Sequence, residues 1–180
     1  VLSVGRIEQE KNPLLLADVL ALLQERDTRW RMVVCGEGRL TEALRSRFEQ
    51  LGVLDKVEMT GHVPIDGGLQ EIYQRSHMLA HVSWTEGVPQ VLFEAFAAGL
   101  PVVATEVGGV PDAVGDAALL VPPGDAEAVA SAMERIANDE TVRETMIERG
   151  NQRVRTHTLE AESRKVVRFL ADVLRVRSSC

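Results

Sequence analysis

The chain has 180 residues, 45% hydrophobic and 26% charged, enough for one domain of ordinary size and too apolar for a disordered segment. Its 27 acidic residues outnumber 20 basic ones for a formal charge of −7, the wrong sign for wrapping nucleic acid, so none is expected as a partner. No apolar run approaches the roughly 18 residues of a membrane span, and two cysteines, Cys35 and Cys180, make neither a disulfide framework nor a zinc site, so a reduced, cytoplasmic setting is expected.

The chain opens on Val1-Leu2-Ser3-Val4 with no basic leader, which reads as a first strand and predicts a start at a domain boundary inside a longer protein. Nearly continuous apolar runs follow at residues 32–35, 57–59, 78–82, 102–104 and 119–121, as parallel strands covered on both faces require. Helical patterns lie between them. The first carries Leu14, Leu15, Leu16, Val19, Leu20, Leu22 and Leu23, with Asn12 placed to cap it and Pro13 in its first turn. The second carries Leu40, Leu44, Phe48 and Leu51 and stops at Gly52. A shorter one is expected near 68–74, and another over 89–98 with Gly99 beyond its end. Three more are expected after the last strand, over 125–138, 140–149 and 159–177. Such alternation predicts right-handed crossovers and one doubly wound parallel sheet of about six strands, a three-layer α/β/α domain over residues 1–180.

In the common strand order 3-2-1-4-5-6, ligands bind outside the carboxyl ends of strands 1 and 4. Two loops should border that crevice. The first, Gly5-Arg6-Ile7-Glu8-Gln9-Glu10-Lys11, is neither a dinucleotide fingerprint nor a phosphate loop. It offers a forked guanidinium and a point-charge ammonium instead, a pair suited to a pyrophosphate. The alternative is that Arg6 and Lys11 pair with Glu8 and Glu10 at a wet surface. The second loop, residues 83–90, places Glu86 beside Gly87, Val88 and Pro89, and the helix after it opens with the free amides of Gln90, Val91 and Leu92. Glu94 falls over a turn into that helix among apolar neighbours, where ligand hydroxyls would partner it or a salt bridge would. Gly36 and Gly38 follow the second strand, but Thr41 stands where a third glycine would complete the fingerprint. Gly108-Gly109 reads as a further turn. His77, His81 and His157 lie in no motif.

Together these residues resemble the retaining glycosyltransferases of group 1 (family 4), and the likeness extends over essentially the whole chain. The most specific stretch is EGVPQVLFEAFAAGLPVVATEVGGVPD at 86–112, with its two glutamates separated by seven residues; VGRIEQEKN at 4–12, GEGRL at 36–40 and VEMTGHV at 57–63 match in order. The resemblance implies the Rossmann-like, nucleotide-sugar-binding C-terminal half of a GT-B fold, with an N-terminal acceptor domain missing. It implies that Arg6 and Lys11 contact the donor diphosphate and that Glu86 faces the transferred sugar, these three carrying the catalysis. Gly5, Gly36, Gly38 and the backbone of Gly87, Val88, Pro89, Gln90 and Val91 would bind the donor; Glu94 would hold the ribose and His62-Val63 would border the base. No Asp-x-Asp is present, so no metal and no cofactor beyond the donor itself is expected.

The implied partners are a nucleotide sugar, the missing N-terminal domain, and an acceptor glycan or lipid-linked sugar, the last leaving room for membrane association of the longer protein. The isolated half should bind donor weakly, with little activity. A non-catalytic nucleotide-binding or interaction module would lack that affinity. A nucleotide-sugar epimerase half shares the architecture but is disfavoured by the EGVPQVLFE arrangement. A dehydrogenase would need the glycine fingerprint and an acidic residue after the second strand, where Gly36 stands.

Overall fold

A computed structural model describes residues 1–157. The apolar runs form six parallel strands: β1 (Leu2–Val4), β2 (Met32–Cys35), β3 (Val57–Gly61), β4 (Leu79–His81), β5 (Val102–Thr105) and β6 (Ala118–Val121). Their order is β3-β2-β1-β4-β5-β6, the common one, so the chain reverses between β1 and β4. Helices connect them: α1 (Leu14–Arg26), α2 (Thr41–Gln50), α3 (Leu69–Gln74), α4 (Gln90–Ala97) and the short α5 (Val110–Val114), then α6 (Ala126–Asn138) and α7 (Glu140–Thr156).

Most strands lack polar alternation because they face two cores; the edge strand β3 alternates, with Glu58 exposed between Val57 and Met59, which pack on one core. Val103 of β5 joins one, built with Leu16, Leu20 and Leu23 of α1, Phe48 of α2 and Met133 and Ile136 of α6. Its neighbours Val102 and Ala104 join the other, with Tyr73 of α3, Leu92 and Phe96 of α4 and Val110 and Val114 of α5. Successive strand residues point to opposite faces, so a run of two-sided burial must be apolar throughout.

Several element ends differ from expectation for local reasons. Asn12 does not cap α1. A 3-10 turn at Gln9–Lys11 ends on it in the left-handed region (φ 49°), and Pro13 immediately precedes the helix with no side-chain cap. Asp125 and Asp139 do cap α6 and α7, accepting from Ala128 and Val142 N–H. Gly52 (φ 69°) and Gly99 (φ 71°) adopt the left-handed conformation expected past a helix end. The expected helix end at 149 is overrun: α7 continues through Gly150 to Thr156. There a Cβ would lie 2.7 Å from the Phe96 ring, so this glycine admits α4 against α7 rather than ending a helix. The expected helix over 159–177 lies outside the described residues. Among the described residues no helix is long and apolar enough to cross a membrane.

Candidate functional site

Beyond the strand ends the connecting loops continue to bind one another. Gly5 N–H donates to the Cys35 carbonyl (3.0 Å), Gly36 N–H to that of Gly61 (2.8 Å) and Ile7 N–H to that of Glu37 (3.0 Å). Gly36 and Gly38 are what allow this. A Cβ at Gly36 (φ 140°) would stand 1.9 Å from the Gly5 carbonyl oxygen, and one at Gly38 would stand 2.4 Å from that of Ile7. The two glycines thus set the approach of the β2 loop to the β1 loop.

The result is a cleft of about 810 Å³ at the carboxyl ends of β1, β2 and β3. Gly5, Arg6, Gly36, His62, Val63, Val91 and Glu94, all singled out from the sequence, line it. A small recess beside it is shared by Gly5, Arg6, Lys11, His81 and Ser83, so Arg6 stands at the border of the two. Gly38, Glu86, Gly87, Val88, Pro89 and Gln90 line neither hollow; Val88 is 58% exposed.

The two cations have different surroundings. Arg6 is exposed and bonded to Glu10 Oε1 at 2.8 Å, one of the pairings open from the sequence, while Glu8 binds Arg39 instead. Lys11 pairs with neither Glu8 nor Glu10. Its Nζ reaches 2.5 Å to Oε1 of Glu86, which is only 7% exposed, and so joins the β1 and β4 loops. A second link is the Trp84 N–H to the Glu10 carbonyl (2.9 Å).

Glu86 is held from beneath as well. Ser83 Oγ donates to its Oε1 at 2.7 Å and His81 Nε2 lies 2.9 Å from the same oxygen. Burial alone would raise this carboxyl, but the hydrogen bonds from His81, Lys11 and Ser83 outweigh it and hold the group at about 2. Gly109 N–H donates to the Glu86 carbonyl (3.3 Å), and a Cβ at Gly108 would stand 1.9 Å from that oxygen, so Gly108-Gly109 supports the Glu86 loop from the β5 side.

Glu94 projects from α4 into the cleft, and its Oε2 accepts from the Tyr73 hydroxyl at 2.8 Å. Burial, reinforced by Glu94, pushes the Tyr73 hydroxyl up, so it remains a neutral donor. In the first turn of α4 the Leu92 N–H is taken by the Pro89 carbonyl (3.3 Å). The amides of Gln90 and Val91 have no backbone acceptor among the described residues.

Tyr73, His81 and Ser83 were not identified from the sequence as site residues. His81 and Ser83 did leave a trace there: two polar residues two positions apart at the end of an apolar strand run, hence on one face.

The family model described as "Glycosyl transferases group 1" matches residues 1–153. A D-inositol 3-phosphate glycosyltransferase of Corynebacterium aurimucosum is 33% identical over 184 residues, covering 98% of this chain and 44% of that protein. The C-terminal domain of a glycosyl transferase group 1 family protein (LpcC) from Francisella tularensis has the same fold, with TM-score 0.76 and 21% identity over 87% of this chain and 84% of that one. Anabaena Alr3699/HepE, solved in complex with UDP, gives TM-score 0.84 at 20% identity over 95% of this chain and 48% of that one. The chain spans about half the length of the curated relatives it matches.

Proposed function

The chain belongs to the group 1 glycosyl transferases, and from that premise we propose that it is the donor-binding half of an enzyme passing a sugar from a nucleotide diphosphate sugar to an acceptor hydroxyl, with retention at the anomeric carbon. The observation that carries this reading is the meeting of the β1 and β4 loops at Lys11 and Glu86, 75 residues apart in sequence, where Lys11 lines a recess that Arg6 shares with the cleft holding Glu94. In this reading Arg6 and the remaining donors of Lys11 hold the diphosphate. Glu94, fixed by Tyr73, accepts from the ribose hydroxyls, and His62-Val63 borders the base. Glu86 accepts from a hydroxyl of the transferred sugar. The UDP seen with the Anabaena protein and the inositol phosphate in the name of the Corynebacterium protein support a nucleotide donor and a hydroxyl-bearing acceptor.

The bond between the anomeric carbon and the terminal phosphate oxygen breaks with its electron pair moving to the phosphate. A bond to the acceptor oxygen forms, and the acceptor proton leaves with the diphosphate or to solvent. Positive charge develops on the sugar and negative charge on the departing phosphate, where fixed cations act most strongly in the transition state. Arg6 and Lys11 take the part that a divalent ion plays in Asp-x-Asp enzymes, so the proposed reaction runs without a metal. Glu86, with three donors on one oxygen, is set to receive a hydroxyl rather than to attack carbon. The acceptor site belongs to the other half of the longer protein, and this chain alone binds donor weakly without turnover.

Calorimetric titration of the chain with UDP-, GDP- and ADP-sugars tests the reading. One of them should bind, and Arg6→Ala or Glu94→Ala should weaken it by about tenfold, the loss of one charge-assisted hydrogen bond. Added EDTA should leave the affinity unchanged. Absence of binding, or binding indifferent to both substitutions, overturns it.

A further inference from the structure

The hydrogen bonds of Glu86 are one-sided. Lys11, Ser83 and His81 all meet Oε1, and among the described residues no hydrogen bond falls on Oε2. His81 is the member of this set that no motif announces. It ends β4, its side chain is 7% exposed, and it faces the carboxylate from inside the sheet, while Lys11 faces it from the β1 loop.

The proton positions follow from elementary chemistry. Ionised Glu86 only accepts, so the proton between it and His81 belongs to Nε2 of the ring. The hydroxyl proton of Ser83 is used in the 2.7 Å bond to Glu86, so at 3.3 Å the Ser83 oxygen accepts from the same Nε2. The imidazole therefore presents its Nε2–H in the neutral as well as the protonated form. Three donors on one oxygen fix the plane of the carboxylate, and the second oxygen is left for a substrate.

We propose that His81 is a positioning residue for sugar recognition: it locks Oε1 of Glu86 from the strand side so that Oε2 is presented to a hydroxyl of the transferred sugar. This rests on the reading above in which Glu86 faces that sugar. The consequence is selective. Loss of the ring N–H should loosen the grip on the sugar while the diphosphate, held by Arg6 and Lys11, stays bound.

The test compares the affinity of the nucleotide sugar that binds best in the titration above with that of the matching UDP, GDP or ADP, in the unaltered chain and in His81→Leu, His81→Asn, His81→Gln and Glu86→Gln. The preference for nucleotide sugar over nucleoside diphosphate should fall about tenfold in His81→Leu, one charge-assisted hydrogen bond lost. His81→Asn, whose amide stops short of Oε1, should fall equally and serves where the leucine variant does not fold. His81→Gln carries an amide N–H to the place of Nε2 and should recover most of the preference, which a merely space-filling role for His81 would not do. If Glu86→Gln lowers the preference and His81→Leu and His81→Asn do not, the inference fails and the reading of Glu86 stands. If Glu86→Gln leaves it unchanged, or the unaltered chain binds none of the nucleotide sugars, both fail.

Discussion

Glu86 carries two opposing effects on one side chain. Burial favours its neutral form, and three donors favour the charged form and prevail, taking the group from an ordinary 4.5 to about 2. A carboxyl with a lower pKa folded than unfolded gives stability that is complete above about pH 4.5 and is lost as the pH falls toward 2. Acid unfolding followed by circular dichroism should therefore be less steep between those values in Glu86→Gln than in the unaltered chain. At pH 7 the same variant should be less stable by about 1–3 kcal/mol, because it leaves Lys11 and His81 with a poorer acceptor. Identical slopes would mean that Glu86 is not held as described. Glu94 differs in having a neutral, buried donor, Tyr73. Tyr73→Phe keeps the packing and removes only the hydroxyl, at an expected cost of about 1–2 kcal/mol in chemical denaturation. It should also weaken nucleotide binding if Glu94 serves the ribose. Stability lost without affinity would separate Glu94 from the ligand.

Between elements, glycines decide how closely the loops can lie. Gly108 combines a left-handed backbone (φ 52°) with a Cβ position 1.9 Å from the Glu86 carbonyl, whereas Gly52 has φ 69° and open space around it. Gly52→Ala should cost only the backbone strain, about 1–2 kcal/mol. Gly108→Ala should cost more, on the order of 2–4 kcal/mol, since the Glu86 loop must also move. Urea denaturation of the two variants measures the difference, and equal losses would show that the loops do not press on each other. The same contacts explain what could be read from letters alone. The strands were legible, because two-sided burial demands continuous apolar runs, and the two crevice loops followed once the common strand order was assumed, which is the order observed. The last turns of α7 were missed, because a glycine that admits a neighbouring helix, as Gly150 does, looks in sequence like one that ends its own. The 3-10 turn at Gln9–Lys11 escaped because three residues carry no periodicity. His81 and Tyr73 escaped because their partners, Glu86 and Glu94, reach them only through the fold.

Across the whole molecule the sheet separates two cores with unequal bearing on the cleft. Phe48 belongs to the core of α1, α2 and α6; Phe96 belongs to the other, where it packs beneath α4, the helix that carries Glu94 and Val91 into the cleft, and against Gly150 of α7. Both rings are essentially fully buried, so truncating either leaves a cavity and should cost about 3–5 kcal/mol. The stability losses should be alike, but the effect on ligand should not be. Phe96→Ala lets α4 settle toward the void and moves Glu94, so nucleotide-sugar affinity should fall several-fold even where the protein is fully folded. Phe48→Ala relaxes α2 about two turns past its start at Thr41, beyond Gly36 and Gly38, and should leave affinity within about twofold. Titration below the unfolding transition of both variants, with folding checked by circular dichroism in the same samples, distinguishes the layers. Equal losses of affinity would mean that the sheet transmits packing defects from one face to the other, and that the cleft depends on the whole domain rather than on the layer beneath α4.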